Sequence, residues 1–255
     1  GSRAVMCELD GSGLKEKQII SLAKKAYRAR ACVGGDGNLY VTYDSFDGKS
    51  YNLLARVKTN SGWSAEHRVD TSTDWATAPA LAPSLTGVSV AWYDFGPRAA
   101  FSYLSSELCA DGGKLCSTAP NKFTSGVDWY QNIDISSNKN GAQAVAYTWG
   151  KYDIHVRYRK DSGEWSKPVV MSYNDGHCGV HPKIMLDDSG NLHLLWQFGH
   201  KNGHMDRNAC IVYNRLSLDE LDKFADPFKE IAVNGFTSPI PVDKQLEHHS
   251  SAEVR

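Results

Sequence analysis

Short apolar runs, each introduced by a turn, recur along this chain about every fifty residues. Four share one form, a glycine feeding an alternating strand: Gly37-Asn38-Leu39-Tyr40-Val41-Thr42-Tyr43, Gly87-Val88-Ser89-Val90-Ala91-Trp92-Tyr93, Gly141-Ala142-Gln143-Ala144-Val145-Ala146-Tyr147 and Gly190-Asn191-Leu192-His193-Leu194-Leu195-Trp196. The glycines lie 50, 54 and 49 residues apart. A second landmark is due roughly 25 residues earlier in each copy. Asn60-Ser61-Gly62-Trp63-Ser64 and Asp161-Ser162-Gly163-Glu164-Trp165-Ser166 supply it, and Gly11-Ser12-Gly13-Leu14 stands at the same offset before Gly37. Each period therefore reads as four strands: A ending at the glycine turn, B after it, C, then a hairpin and D. Ile154 to Arg159 alternates with a period of two, as strand C should.

Repetition of a four-stranded unit at this period predicts an all-β protein, a β-propeller of four-stranded blades in a single domain, residues 1–255. Four units are complete, at about 27–70, 75–125, 129–172 and 178–233. The ends match parts of a fifth: Arg3–Leu9 strand C, Lys17–Leu22 strand D, Phe236–Val242 the start of strand A and Ser251–Arg255 strand B. Five blades, with the ring closed by both termini, are thus expected. Residues 14–26 have partly helical spacing, but the repeat phase makes them strand. One helix is expected in the last C–D connection, where Ser217-Leu218-Asp219-Glu220 forms a capping box ahead of Leu221 and Phe224.

Composition narrows the class. A chain of 255 residues, 41% hydrophobic, can bury one sizeable core. A net charge of −1 gives no basic footprint for nucleic acid, and no apolar run is long enough to span a bilayer. Gly1-Ser2 reads as a cloning remnant, so a cleaved leader would leave no mark. Of six cysteines, Cys109 and Cys116 bracket a hairpin tip, Cys178 and Cys210 fall in one unit, and Cys7 and Cys32 in neighbouring units. That spacing predicts a Cys109–Cys116 disulfide and a secreted or periplasmic protein.

In a propeller the D–A and B–C loops share one face around the axis. Here they carry Arg28 and Arg30; Tyr43; Trp75; Trp129, Tyr130 and Gln131; Tyr147 and Trp149; and His177, His181, His200 and His204. Aromatic faces stack on sugar rings while Arg and Gln bond hydroxyls and carboxylates. The expected partner is a polysaccharide or oligosaccharide bound by a monomer, with no nucleic acid. The uneven rim favours one site over the identical pockets of a lectin. The four histidines fall in two adjacent loops, whereas His193 lies mid-strand and reads as structural. The cluster has three open readings: catalysis, a divalent metal held with Cys178 or Asp206, or no role. No cofactor is required by the pattern. A hydrolytic alternative would draw on Asp44, Asp94, Asp128 and Asp153 as paired carboxylates.

Two resemblances bear on these residues. The Ser-Gly-Trp hairpins resemble degenerate Asp-box hairpins of the sialidase-like propellers. The stretch His177-Cys-Gly-Val-His181-Pro182, the Asp187-Asp-Ser-Gly-Asn191 turn and the Gly199-His200 ending resemble propeller polysaccharide lyases of the ulvan lyase type. That second likeness implies β-elimination on a uronate polysaccharide, in which a cation neutralises the carboxylate, a base takes the adjacent proton and an acid protonates the leaving oxygen. It implies His181 or His200 as base, Tyr147 or Tyr43 as acid and Arg28 or Arg30 as the clamp.

Overall fold

The structure is a computed structural model that describes residues 3–7, 9–10, 13–14, 18–22, 25–70, 75–96, 100–123, 132–149, 153–161, 163–171, 178–201, 204–224 and 240–241. At Trp149, Cys178, His200, His204 and Cys210 it describes the backbone alone. Four short strands open the chain: β1 (Val5–Met6), β2 (Leu9–Asp10), β3 (Gly13–Leu14) and β4 (Gln18–Ile19). β1 pairs with β4 and β2 with β3. In the ambiguous 14–26 stretch, Leu14, Gln18, Ile19 and Ala26 are strand and no described residue is helical.

Four repeats follow. The first comprises β5 (Ala26–Val33), β6 (Leu39–Phe46), β7 (Tyr51–Thr59), β8 (Gly62–Trp63) and β9 (His67–Arg68). The second comprises β10 (Trp75–Ser84), β11 (Gly87–Gly96), β12 (Ala100–Asp111), β13 (Lys114–Ser117) and β14 (Asn121–Lys122). The third is β15 (Ile133–Ser137), β16 (Gln143–Trp149), β17 (Asp153–Arg159) and β18 (Val169–Val170). The fourth is β19 (Cys178–Leu186), β20 (Asn191–Lys201) and β21 (His204–Ser217), then α1 (Leu218–Phe224) and β22 (Ile240–Pro241). Within each repeat the strands pair antiparallel in sequence order. The fold is thus nearly all-β, with strands A, B, C and D in the expected phase.

The chain divides into two compact units, Gly1–Ser125 and Gly126–Arg255, the first holding repeats one and two and the second repeats three and four. In unit one, a parallel bridge between Trp75 and Tyr51 joins the two repeats into one sheet. In unit two, β15 grips β19 through side chains: Asp134 Oδ2 accepts from Ile184 N at 3.1 Å and Ser136 Oγ from Leu186 N at 2.9 Å. Residues 134 and 136 share a face because side chains alternate along a strand.

Three A–B turns are built alike. The N–H of Gly34, Asn138 or Asp187 bonds the carbonyl four residues on, at 2.9, 3.0 and 2.9 Å. Gly37, Gly141 and Gly190 take φ of 77°, 87° and 80°, which their lack of a Cβ permits. Gly87 plays a different part. It pairs with Ser84 across a shorter turn, and a Cβ there would lie 2.1 Å from the Leu108 carbonyl oxygen. The glycine is needed for close approach, and Gly35 N bonds both Ser84 O and Gly87 O at 3.0 Å to stitch the two turns of unit one together.

The Ser-Gly-Trp hairpins repeat in detail. Ser64 Oγ accepts from Val57 N at 3.1 Å and Ser166 Oγ from Tyr158 N at 3.0 Å. Arg56 and Arg157 donate to the carbonyls of the same two serines. Each hairpin tryptophan lies under a guanidinium, Arg56 over Trp63 and Arg159 over Trp165. The capping box forms as expected: Glu220 N donates to Ser217 Oγ at 3.2 Å and Ser217 N to Glu220 Oε2 at 2.7 Å.

The core of each unit is aliphatic and aromatic. Val57, Val88, Val90 and Leu108 serve unit one, and Ile154, Val156, Leu192 and Leu194 unit two, all 1% exposed or less. Each such side chain contributes about 1.5–3 kcal/mol on burial.

Two expectations change. Residues 236–242 do not begin a fifth inner strand where they are described: Ile240 and Pro241 pair with Tyr213 and Val212, as the outer strand of repeat four. Proline fits that edge because it has no N–H to donate. Residues 251–255 lie outside the described residues. Cys109 and Cys116 do face each other across the β12–β13 ladder, but the described cysteines, Cys7, Cys32, Cys109 and Cys116, are free thiols. Opposed strand positions bring two Cα atoms within disulfide range, yet closure also needs a torsion of roughly a right angle about S–S.

Candidate functional site

The inner strands carry a shared irregularity. Pairing slips by one residue between Tyr27 and Arg30 in β5, between Thr77 and Ala80 in β10, and between Val180 and Lys183 in β19. Inside each bulge one non-glycine residue turns left-handed: Arg28 at φ 45°, Ala78 at φ 54° and His181 at φ 54°. All three stand nine residues before their turn glycine, and the same count in repeat three reaches Asn132. Proline follows at Pro79 and Pro182, tolerated because a bulge frees one ladder position. An L-residue held left-handed costs about 1–2 kcal/mol, so the surrounding contacts must impose it. Bulges re-aim a side chain, and they concentrate beside functional sites.

In unit one the bulge aims Arg28, whose side chain is 44% exposed. Its Nη1 donates to Thr77 Oγ1 and pairs with Asp44 Oδ2 at 3.5 Å, while Thr77 Oγ1 donates to the same oxygen at 2.6 Å. Asp44 is fully buried, so its charge needs that guanidinium. Its other oxygen, Oδ1, is buried without a hydrogen-bond partner among the described residues. Beside this group Tyr51 is the hub of an aromatic cluster, with ring centroids 5.9 Å from Tyr27, 5.0 Å from Phe46 and 5.4 Å from Trp75. Trp75 remains 40% exposed. A half-exposed indole held edge-on by a tyrosine, next to an oriented guanidinium, suits a sugar ring bearing an acidic group. Arg30 is also exposed, and its Nη1 donates to Ala29 O.

In unit two the bulge aims His181 outward, and its Nδ1 lies 3.0 Å from Asn132 Oδ1. His193 bonds Tyr213 Oη at 2.8 Å and Asp187 Oδ2 at 3.3 Å, which ties it to its own turn as a structural residue.

Tyr43 and Tyr147 occupy one station of strand B, shared with Trp92 and Trp196, and their cross-strand partners are Leu54, His155, Leu104 and Val212. All four aromatics are at most 5% exposed. Tyr43 donates to Glu66 and Tyr147 accepts from Arg157 Nε. Burial, reinforced at Tyr43 by Glu66, pushes both phenols above their ordinary range. These rings are core packing, which removes Tyr147 as the acid and Tyr43 as a sugar contact.

His200 pairs in register with Cys178 and Met205 along the β20 backbone, and Trp149 with Asp153. The side chains of His200, His204 and Trp149, and all of Trp129, Tyr130, Gln131 and His177, lie outside the described residues. Among the described residues no three His, Cys, Asp or Glu side chains cluster to hold a metal. Asn132, Tyr51 and the buried His155 were not singled out from sequence. Counting nine back from each glycine would have found Asn132, and the prolines after residues 78 and 181 mark the bulges.

No family model matches the chain, and no curated protein matches it. Solved structures do. An alpha-L-arabinanase of Penicillium chrysogenum, complexed with arabinobiose, superposes with a TM-score of 0.51 at 13% identity, over 80% of this chain and 64% of that one. An alpha-L-arabinofuranosidase of Fusarium graminearum gives 0.47 at 13% identity, over 75% and 62%. An ulvan lyase, described as a new family of polysaccharide lyase, gives 0.49 at 12% identity, over 75% and 56%. The chain spans 56 to 64% of the length of these proteins. At 13% identity the likeness to the arabinanase is one of fold alone, and the sialidase-like resemblance finds no support among these structures. Among the described residues no helix is long and apolar enough to cross a membrane.

Proposed function

We propose that the protein is a secreted or periplasmic carbohydrate-active enzyme that cleaves a uronate-containing polysaccharide by β-elimination. The observation that carries this reading is His181, an exposed imidazole fixed at a strained bulge by a hydrogen bond from its own ring. The bulge recurs at Ala78, so it belongs to the repeat; what is particular here is the exposed imidazole that it presents. Elimination needs a base for the proton next to the carboxylate, and a neutral imidazole suits that step near pH 7.

Within unit one, Arg28 rather than Arg30 is the guanidinium prepared for a carboxylate, because Thr77 and the buried Asp44 orient it. Trp75 supplies the stacking surface. With Tyr147 in the core, His200 remains as donor to the leaving oxygen, and Trp129, Tyr130, Gln131, Trp149, His177 and His204 as further substrate contacts. Closure of the ring, with five blades, belongs to the same proposal. Of the four carboxylates a hydrolytic route would draw on, Asp44 is already engaged as the counter-ion of Arg28.

The test is incubation with a panel of uronate polysaccharides, following the short-wavelength ultraviolet absorption of the unsaturated uronates that elimination leaves. That absorption should grow with at least one polymer. His181→Ala should abolish that growth, a loss on the order of 100-fold or more for a general base, with the thermal midpoint not lowered. Full activity in His181→Ala would remove the assignment.

A further inference from the structure

We propose that Asn132 is a positioning residue for His181: it holds the imidazole proton on Nδ1, so that Nε2 carries the lone pair used as base. The inference rests on the reading of His181 given above and assigns the nitrogen at which it acts. Asn132 Oδ1 lies 3.0 Å from His181 Nδ1, and an amide oxygen only accepts. The ring nitrogen facing it must therefore donate, which leaves Nε2 unprotonated in the neutral ring.

Both partners are held before any substrate arrives. His181 is fixed by its left-handed bulge. Asn132 begins the row that continues through Asp134 and Ser136, whose side chains bond the backbone of β19 at Ile184 and Leu186. The Asn132 carbonyl also accepts from Thr148 N at 3.4 Å. The amide and the imidazole thus ride on two inner strands already tied together. Unit one repeats the arrangement with other chemistry: the bulge residue Arg28 is held by Thr77 of the adjacent inner strand. In each unit, then, the residue presented at a bulge is fixed by a polar side chain of its neighbour.

The ring nitrogens can be read directly by NMR of protein labelled with 15N-histidine, with His181 assigned by its loss in His181→Ala. The wild type should show the Nδ1–H tautomer. Asn132→Leu, close in volume but without an acceptor, should lose it in favour of Nε2–H. Asn132→Asp should keep it. On a polymer that the wild type cleaves, Asn132→Leu should lower kcat on the order of 10-fold or more while KM stays near wild type, and Asn132→Asp should restore kcat to within a few-fold. An unchanged His181 tautomer in Asn132→Leu, or wild-type turnover by that variant, would overturn the proposal. If the tautomer responds while the wild type cleaves no uronate polymer, the positioning of His181 stands and the elimination reading is the part that fails.

Discussion

Tyr43, Trp92, Tyr147 and Trp196 show why single residues mislead when read alone. Tyr43 and Tyr147 read as rim residues in sequence, yet they are buried with Trp92 and Trp196 at one station of strand B. Their cross-strand partners are aliphatic in three repeats and His155 in the third. That histidine is 5% exposed and stacked on Tyr147. Burial first, then the nearby Arg157 charge, pushes it down to about 4. The unfolded chain, with histidine near 6.5, therefore takes up the proton first. Stability from the neutral ring is complete above about pH 6.5 and is lost as pH falls toward about 4, by at most about 3 kcal/mol. His155→Leu, which installs the residue found in repeats one and two, should flatten that part of the profile. Urea midpoints near pH 7.5 and pH 5 would show it, and an equal acid loss in wild type and variant would refute it. The thiols divide similarly. Cys116 is exposed and should be alkylated quickly in the native protein, whereas Cys32, half-buried and pushed up to about 11 by burial, should react more slowly. Equal labelling rates would contradict these surroundings.

At the scale of elements, the repeat was legible because turn glycines and alternating strands are local signals. The A, B, C and D phase, the α1 capping box and the short strand Gln18–Ile19 all follow from them. What escaped was how neighbouring elements meet. Gly87 looks like the other turn glycines, yet it serves the approach of Leu108. Ile240–Pro241 has the pattern of an inner strand but closes an outer edge. The bulges were readable only in hindsight, from a proline within each of two strand patterns and a constant distance to the turn. Ala78 isolates their cost, since it sits left-handed with no chemistry of its own. Ala78→Gly should raise stability by about 1 kcal/mol. A neutral or destabilising result in chemical denaturation would show that the backbone there is unstrained.

At the scale of the molecule, the architecture came from periodicity, whereas the candidate site arises from residues far apart in sequence. Arg28, Asp44 and Thr77 converge through three strands, and His181 meets Asn132 across 49 residues. The distance to the turn glycine marks Asn132 as a position without saying what it meets, so sequence reading found His181 and Arg28 by residue type and missed the partner that orients the histidine. Bond cleavage by elimination, with an imidazole as base, is the central claim. Its most direct test is the mass spectrum of oligosaccharides released from a cleaved uronate polymer. Elimination predicts new non-reducing ends lighter by one water than the intact sugar. Ends of full hydrated mass would mean that the bond is broken by hydrolysis, and would contradict the account.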